Sequence, residues 1–299
     1  MWLQTMFRTL FSCGVPVFIM LTGYLNANKT EINRKYYKGL VRVLVSYLLF
    51  SIITILFRKY YLGETYSWPQ WGLKILDFSA IGYAWYIEMW IGLFILTPFL
   101  NMLYKAVSTK QLKMVLIATL FVLTALPDFF NRYGVKLVPG FWQTIYPLTF
   151  YFIGSYIREY RPRLNFAIGG GIILLCTLVN PLFNSLFIDN HDLVEIAGGQ
   201  NGIFGVPVAV SFFLMFYDRN VRFPLMRKIS ELSLDMYLVS FLFDSLYYPY
   251  FKAEFFVSQA QFGKFFFVLV PLVFVSSFLV AWIKELFFKI PSLSVKKSA

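Results

Sequence analysis

Leu40-Val41-Arg42-Val43-Leu44-Val45-Ser46-Tyr47-Leu48-Leu49-Phe50-Ser51-Ile52-Ile53-Thr54-Ile55-Leu56-Phe57 is the stretch that decides the fold. Arg42 is its one charge, and Arg58 and Lys59 close it. The same pattern, an apolar and aromatic-rich run bounded by lysine or arginine, recurs about nine times along the chain, with the basic residues concentrated in every second gap. So many runs cannot share one soluble core, whereas lipid accepts helices that satisfy their own backbone hydrogen bonds. The reading is an all-α, polytopic transmembrane helix bundle of about nine spans, organised as a single membrane domain over residues 1–299.

Composition agrees. The 299 residues are 59% hydrophobic and 21% aromatic, with a mean hydropathy of +0.64, far from soluble usage. The formal charge of +12 raises nucleic acid as a partner. That class is excluded because the basic residues sit in short loops beside apolar runs, where cytosolic retention and anionic lipid headgroups account for them. The expected spans are residues 7–27, 40–57, 85–104, 113–127, 141–157, 165–183, 203–217, 229–248 and 265–288. The fourth and seventh are short for a bilayer and are expected to borrow flanking residues or to tilt differently.

The loops orient the bundle. One side holds Lys29, Arg34, Lys35, Lys38 and Arg42, then Lys105, Lys110 and Lys113, then Arg158, Arg161 and Arg163. It continues through Arg219, Arg222, Arg227 and Lys228 to Lys284, Lys289, Lys296 and Lys297, and holds most of the 27 basic residues. By the positive-inside rule this side is cytoplasmic, so the expectation is a multi-pass protein of the plasma membrane with a cytoplasmic C-terminus. Arg58 and Lys59 are the main exceptions. Met1 then lies outside, although the segment that follows lacks the basic n-region and cleavage site of a secretory signal. Either the first span inserts with its N-terminus out, or a further helix precedes it.

Cys13 and Cys176 both fall inside expected spans and read as small buried hydrophobes. No metal-ligand spacing, P-loop or GxSxG pattern is present, and no bound cofactor is expected. The aromatic residues of the outer loop, Tyr60, Tyr61, Tyr66, Trp68 and Trp71, are expected at the headgroups. Pro16, Pro98, Pro147, Gly154, Pro207 and Pro271 would permit kinks and close helix contacts.

Five local sequences carry a resemblance. Phe11-Ser12-Cys13-Gly14-Val15-Pro16-Val17-Phe18-Ile19-Met20-Leu21-Thr22-Gly23-Tyr24-Leu25 resembles the "VPlFfmlSGyll" helix of the acyltransferase 3 family, integral membrane enzymes that acylate cell-surface carbohydrates. Residues 36–48 resemble that family's basic approach to its next span. Residues 84–100, from Ala84-Trp85-Tyr86 to Thr97-Pro98-Phe99-Leu100, are similar to a further helix. Tyr151-Phe152-Ile153-Gly154-Ser155-Tyr156-Ile157 and Ile229-Ser230-Glu231-Leu232-Ser233-Leu234-Asp235-Met236-Tyr237-Leu238 resemble two more, in family order across nearly the whole chain.

The resemblance implies a bundle of about ten helices with both ends cytoplasmic, of which this chain would lack the first. It implies transfer of an acyl group, with acetyl the leading expectation, from acyl-CoA as co-substrate to a hydroxyl of a lipid-linked or exported polysaccharide. In the family the first helix carries a basic residue and a histidine thought to serve the transfer. The chain is therefore expected to transfer poorly, and a catalytically inactive remnant of the fold or a membrane carrier of a lipid-linked glycan is the alternative. His191, the one histidine, lies in an acidic loop with Asp189, Asp192 and Glu195 and is not expected to act as the base.

Other polar groups near the spans carry two readings each. Arg42, supported by Lys38 and Arg34, either pairs with the phosphates of an acyl-CoA or anchors the span's cytoplasmic end. Glu88 is either a sugar or proton site or an interfacial carboxylate, and it is the candidate catalytic carboxylate together with Arg8. Asp235 and Asp244 have the same ambiguity, and Arg8 is the expected local partner for such carboxylates. Membrane lipids, the polysaccharide acceptor and acyl-CoA are the expected partners.

Overall fold

A computed structural model describes residues 2–131, 136–187, 199–219, 223–255 and 259–287. Among them every regular element is helical. In chain order they are α1 (Trp2–Phe11), α2 (Gly14–Asn26), α3 (Arg34–Tyr60), α4 (Trp68–Leu76), α5 (Trp85–Ala106) and α6 (Lys110–Phe130). A 3₁₀ turn (Phe141–Ile145) leads into α7 (Tyr146–Tyr160), followed by α8 (Phe166–Phe187), α9 (Gly205–Phe216), α10 (Pro224–Phe255) and α11 (Gln259–Phe287).

Every expected span contains helix. Among the described residues, 6 stretches are long and apolar enough to cross a membrane: Thr5–Asn26, Tyr36–Tyr60, Trp85–Ala106, Lys110–Phe130, Phe166–Phe183 and Phe265–Phe287. The fourth span does borrow flanking residues, reaching 21 residues as α6, whereas α9 stays at 12 and α7 at 15. α10 is 32 residues long but is interrupted by Arg227, Lys228, Glu231, Asp235 and Asp244.

The first span is broken rather than continuous. Pro16 has no N–H to offer the Ser12 carbonyl, and its ring crowds that carbonyl, so the helix divides at Ser12 and Cys13. The Ser12 hydroxyl donates to the Thr9 carbonyl at 3.0 Å beside the break.

The chain forms two compact units, each discontinuous in sequence: Met1–Ile32 with Gly92–Asn220, and Asn33–Ile91 with Val221–Ala299. In the first, α2 and α7 meet backbone to backbone. A Cβ on Gly23 would stand 2.1 Å from the Tyr151 carbonyl oxygen, and one on Gly154 would stand 2.0 Å from that of Met20. Only glycine at both positions allows this approach, which replaces hydrophobic driving force as the source of helix association in lipid. Asn101, fully buried on α5, donates to the carbonyls of Asn26 and Lys29, both at 2.7 Å, and accepts from the Tyr151 hydroxyl at 2.8 Å. It thereby ties the turn that follows α2 to α5 and α7.

Basic residues gather at that end of the unit. Lys113, nearly buried, holds Glu159 at 2.8 Å beneath the Tyr104 ring, and Arg158 lies over Tyr24. Tyr217 closes the same end by donating to the Pro162 carbonyl at 3.0 Å.

In the second unit α10 and α11 run antiparallel, with α3 beside α10. Its core joins Tyr47 and Phe50 of α3 to Ile81, Ala84, Ile87, Leu238 and Val239. A second cluster seats Trp71 of α4 against Ile55 and Ala80. This corrects the expectation that Trp71 lies at the headgroups: it is 1% exposed, while Tyr60, Tyr61, Tyr66 and Trp68 are exposed. The segment's return along α3, which composition does not reveal, is the reason.

The two exceptions to the charge rule are also explained. Arg58 pairs with Glu64 at 2.9 Å, donates to the Ser79 and Ala80 carbonyls and lies over the Trp71 ring, so its charge is spent on one turn. Lys59 stands 3.8 Å from the centre of the Trp68 ring.

Candidate functional site

The end of the first unit opposite its basic cluster holds a polar cavity of about 420 Å³, lined by Arg8, Ser12, Asp128, Gly199, Gln200 and Asn201. Sites for small molecules run from about 300 to 1,000 Å³, and this one is in that range. The break at Ser12 is what brings Arg8 here, at the end of α1. Asp128 comes from the last turn of α6, just after Pro127. It accepts a long contact, 3.5 Å, from Gln143 on the 3₁₀ turn.

The third wall is a turn shaped by glycine. Gly202 N–H donates to the Gly199 carbonyl at 2.9 Å, and a Cβ on Gly205 would lie 2.1 Å from that same oxygen. The turn is fixed on both flanks, Gln200 donating to the Tyr146 hydroxyl at 3.0 Å and Asn201 to the Thr124 carbonyl at 3.3 Å. A guanidinium, a carboxylate, a hydroxyl and two amides thus line one space. Such groups bind polyhydroxylated or anionic molecules by directional hydrogen bonds.

The sequence candidates are distributed over both units. Arg8 lines the cavity in the first. Arg34, Lys38 and Arg42 belong to the second, all exposed on the first turns of α3, where a spacing of four puts them on one face. Asn33 caps that helix, its side chain accepting from the Tyr36 N–H at 2.9 Å. Glu88 is exposed in the first turn of α5 and belongs to the second unit. His191, with Asp189, Asp192 and Glu195, lies outside the described residues.

Asp235 and Asp244 have partners other than the expected Arg8. Asp235 accepts from Lys284 at 2.6 Å, and Lys284 also donates to Ser46 at 2.7 Å, a nearly buried pair linking α10, α11 and α3. Asp244 accepts from the Tyr83 hydroxyl at 2.6 Å. Both carboxylates are satisfied within their own unit.

Sequence reading did not single out Asp128. It closes an apolar run beside Pro127, the position where a carboxylate can reach the mouth of a bundle, and that is the signal it offered. Among the described residues no cluster of histidine, cysteine and carboxylate side chains suited to a metal is present.

Among protein-family models, an acyltransferase domain model matches residues 1–286. No curated protein and no solved structure matches the chain. The match spans nearly all of the 299 residues, and with the apolar helices above it establishes that this multi-pass membrane protein belongs to the acyltransferase 3 family.

Proposed function

We propose that the chain moves an acyl group, acetyl in the first instance, from acyl-CoA to a hydroxyl of a surface or exported polysaccharide, at the plasma membrane with its C-terminus in the cytoplasm. The observation that carries this reading is an acyltransferase domain match over residues 1–286 in a chain whose polar cavity holds both a guanidinium and a carboxylate. The exposed stripe of Arg34, Lys38 and Arg42 suits the phosphates of the donor. The cavity suits a sugar hydroxyl, with Arg8 orienting it.

Transfer requires a base. As the hydroxyl proton moves to a carboxylate, the oxygen attacks the thioester carbonyl, the carbon–sulfur bond breaks, and the CoA thiolate takes a proton in turn. Asp128, which lines the cavity with Arg8, is the carboxylate we assign to that work, and Glu88 is the alternative. Histidine matches neutral pH better than a carboxylate does, and a well-matched general acid–base group is worth about 10²- to 10⁴-fold, so slow turnover is expected. The second reading, a fold retained without turnover, is favoured by the sequence's single histidine falling outside every apolar run, between Asp189 and Asp192.

The test is expression in a strain lacking its own glycan acetylation, with O-acetyl groups measured on the polymer. Asp128→Asn should abolish the acetyl signal at unchanged membrane abundance. Loss on Glu88→Gln with Asp128→Asn silent would move the chemistry to α5.

A further inference from the structure

The connection between α3 and α5 does not project beyond the end of α3; it folds back along it. Trp71 packs on Ile55, the Phe78 ring stacks on Tyr47 at 4.9 Å, and the Tyr47 hydroxyl donates to the Ile75 carbonyl at 2.7 Å. At 1.5 Å per residue, Ile55 and Tyr47 lie about 8 and 20 Å inside the end of α3 at Tyr60. Between Val43 and Phe57 that helix carries no charge. α4 and the turn after it therefore share the depth of an uncharged membrane-spanning stretch.

The polar backbone of this segment is met by protein. Ser67 and Gln70 form a capping box at the start of α4, Ala80 N–H donates to the Lys74 carbonyl at 2.8 Å, and Arg58 takes the Ser79 and Ala80 carbonyls. Irregular backbone at membrane depth is tolerated only where protein or a water-filled space surrounds it. Asp77 and Ser79 indicate the second. Asp77 accepts from the Ser79 N–H and hydroxyl at 3.0 and 2.6 Å, and both residues are exposed. An exposed carboxylate facing hydrocarbon is costly, whereas one facing water is not. At the same level α3 exposes Ile52, Ile53 and Leu56, the apolar surface that lipid requires.

We propose that the Trp68–Ser79 segment re-enters the membrane from the end of α3 and that Asp77 and Ser79 line a water-filled recess at hydrocarbon depth. The recess admits water and small hydrophilic cations. Its charge balance is negative: Asp77 and Glu88 are both exposed carboxylates, Arg58 is paired with Glu64, and Lys74, over the Tyr66 ring at 4.5 Å, is the one cation set against the two.

The experiment is cysteine accessibility in a background in which Cys13 and Cys176 are alanine. Single cysteines replace Thr65, Asp77, Ser79, Ile52 or Ile53, in membranes opened so that reagent reaches both faces. A membrane-impermeant cationic thiosulfonate should modify Thr65→Cys, Asp77→Cys and Ser79→Cys and leave Ile52→Cys and Ile53→Cys unmodified. At Ser79→Cys the cationic reagent should react severalfold faster than an anionic one of similar size, a preference that Asp77→Asn should reduce. Protection of positions 77 and 79 while 65 reacts would overturn the recess. Equal reaction at 52, 53, 77 and 79 would overturn the membrane depth.

Discussion

Arg42 is an exposed guanidinium on the first turns of a membrane-spanning helix, sharing its face with Arg34 and Lys38. A snorkelling anchor needs only a positive charge, whereas a phosphate contact uses the planar fork. Arg42→Lys should therefore insert normally but bind acetyl-CoA more weakly, read by titration at equal expression; equal binding returns Arg42 to the anchor reading. At the other end of the residue scale, burial pushes the Glu159 carboxyl up, but the hydrogen bonds and charge of Lys113 outweigh it and hold it below the usual range. A depressed carboxyl contributes stability that is present above its unfolded pKa and lost as pH falls through the folded value. The thermal midpoint should thus hold near neutrality and fall in acid, and Glu159→Gln should shrink the acid loss. These residues were legible in the sequence as charges but not as pairs. Asp235 and Lys284 stand 49 positions apart, and nothing local says that one will meet the other.

Among the elements, the tight α2–α7 contact gives the sharpest expectation. A Cβ on Gly23 meets the Tyr151 carbonyl oxygen at 2.1 Å, and main chain has nowhere to yield, while Gly170 of α8 has nothing within 4 Å of the same atom. Gly23→Val should lower the detergent melting point by the equivalent of about 1–3 kcal/mol, the usual cost of overpacking. Gly170→Ala should be neutral or slightly stabilising, up to about 1 kcal/mol from helix propensity. Equal melting points for Gly23→Val and the parent would remove the backbone contact. The positions of the helices were legible because a long apolar run between lysines has one stable form in lipid. Where a run breaks is less so. Pro16 marks the kink in the first span, yet Pro98 and Pro271 lie within unbroken α5 and α11, because a proline's effect depends on what else satisfies the freed carbonyl. The return of α4 along α3 had no sequence signal, since Trp71 reads alike as an interfacial ring and as a core side chain.

For the whole molecule, the charge alternation gives an orientation. Cysteine probes at Thr65, beside the glycine-requiring turn at Gly63 with φ 71, should be labelled from outside intact cells, and probes at Lys110 and Arg161 should not. Labelling of 110 or 161 with 65 protected reverses the bundle. The family was legible because its motifs lie in order along the chain, but the cavity was not: Arg8, Asp128 and Gln200 come together only through the fold. Acyl transfer itself is tested most directly by supplying radiolabelled acetyl-CoA and acceptor polysaccharide to membranes that carry the chain. Slow incorporation of alkali-labile label into the polymer is expected, above that of membranes without the chain and lost on Asp128→Asn. Polymer without alkali-labile label, at verified insertion and abundance, would contradict it.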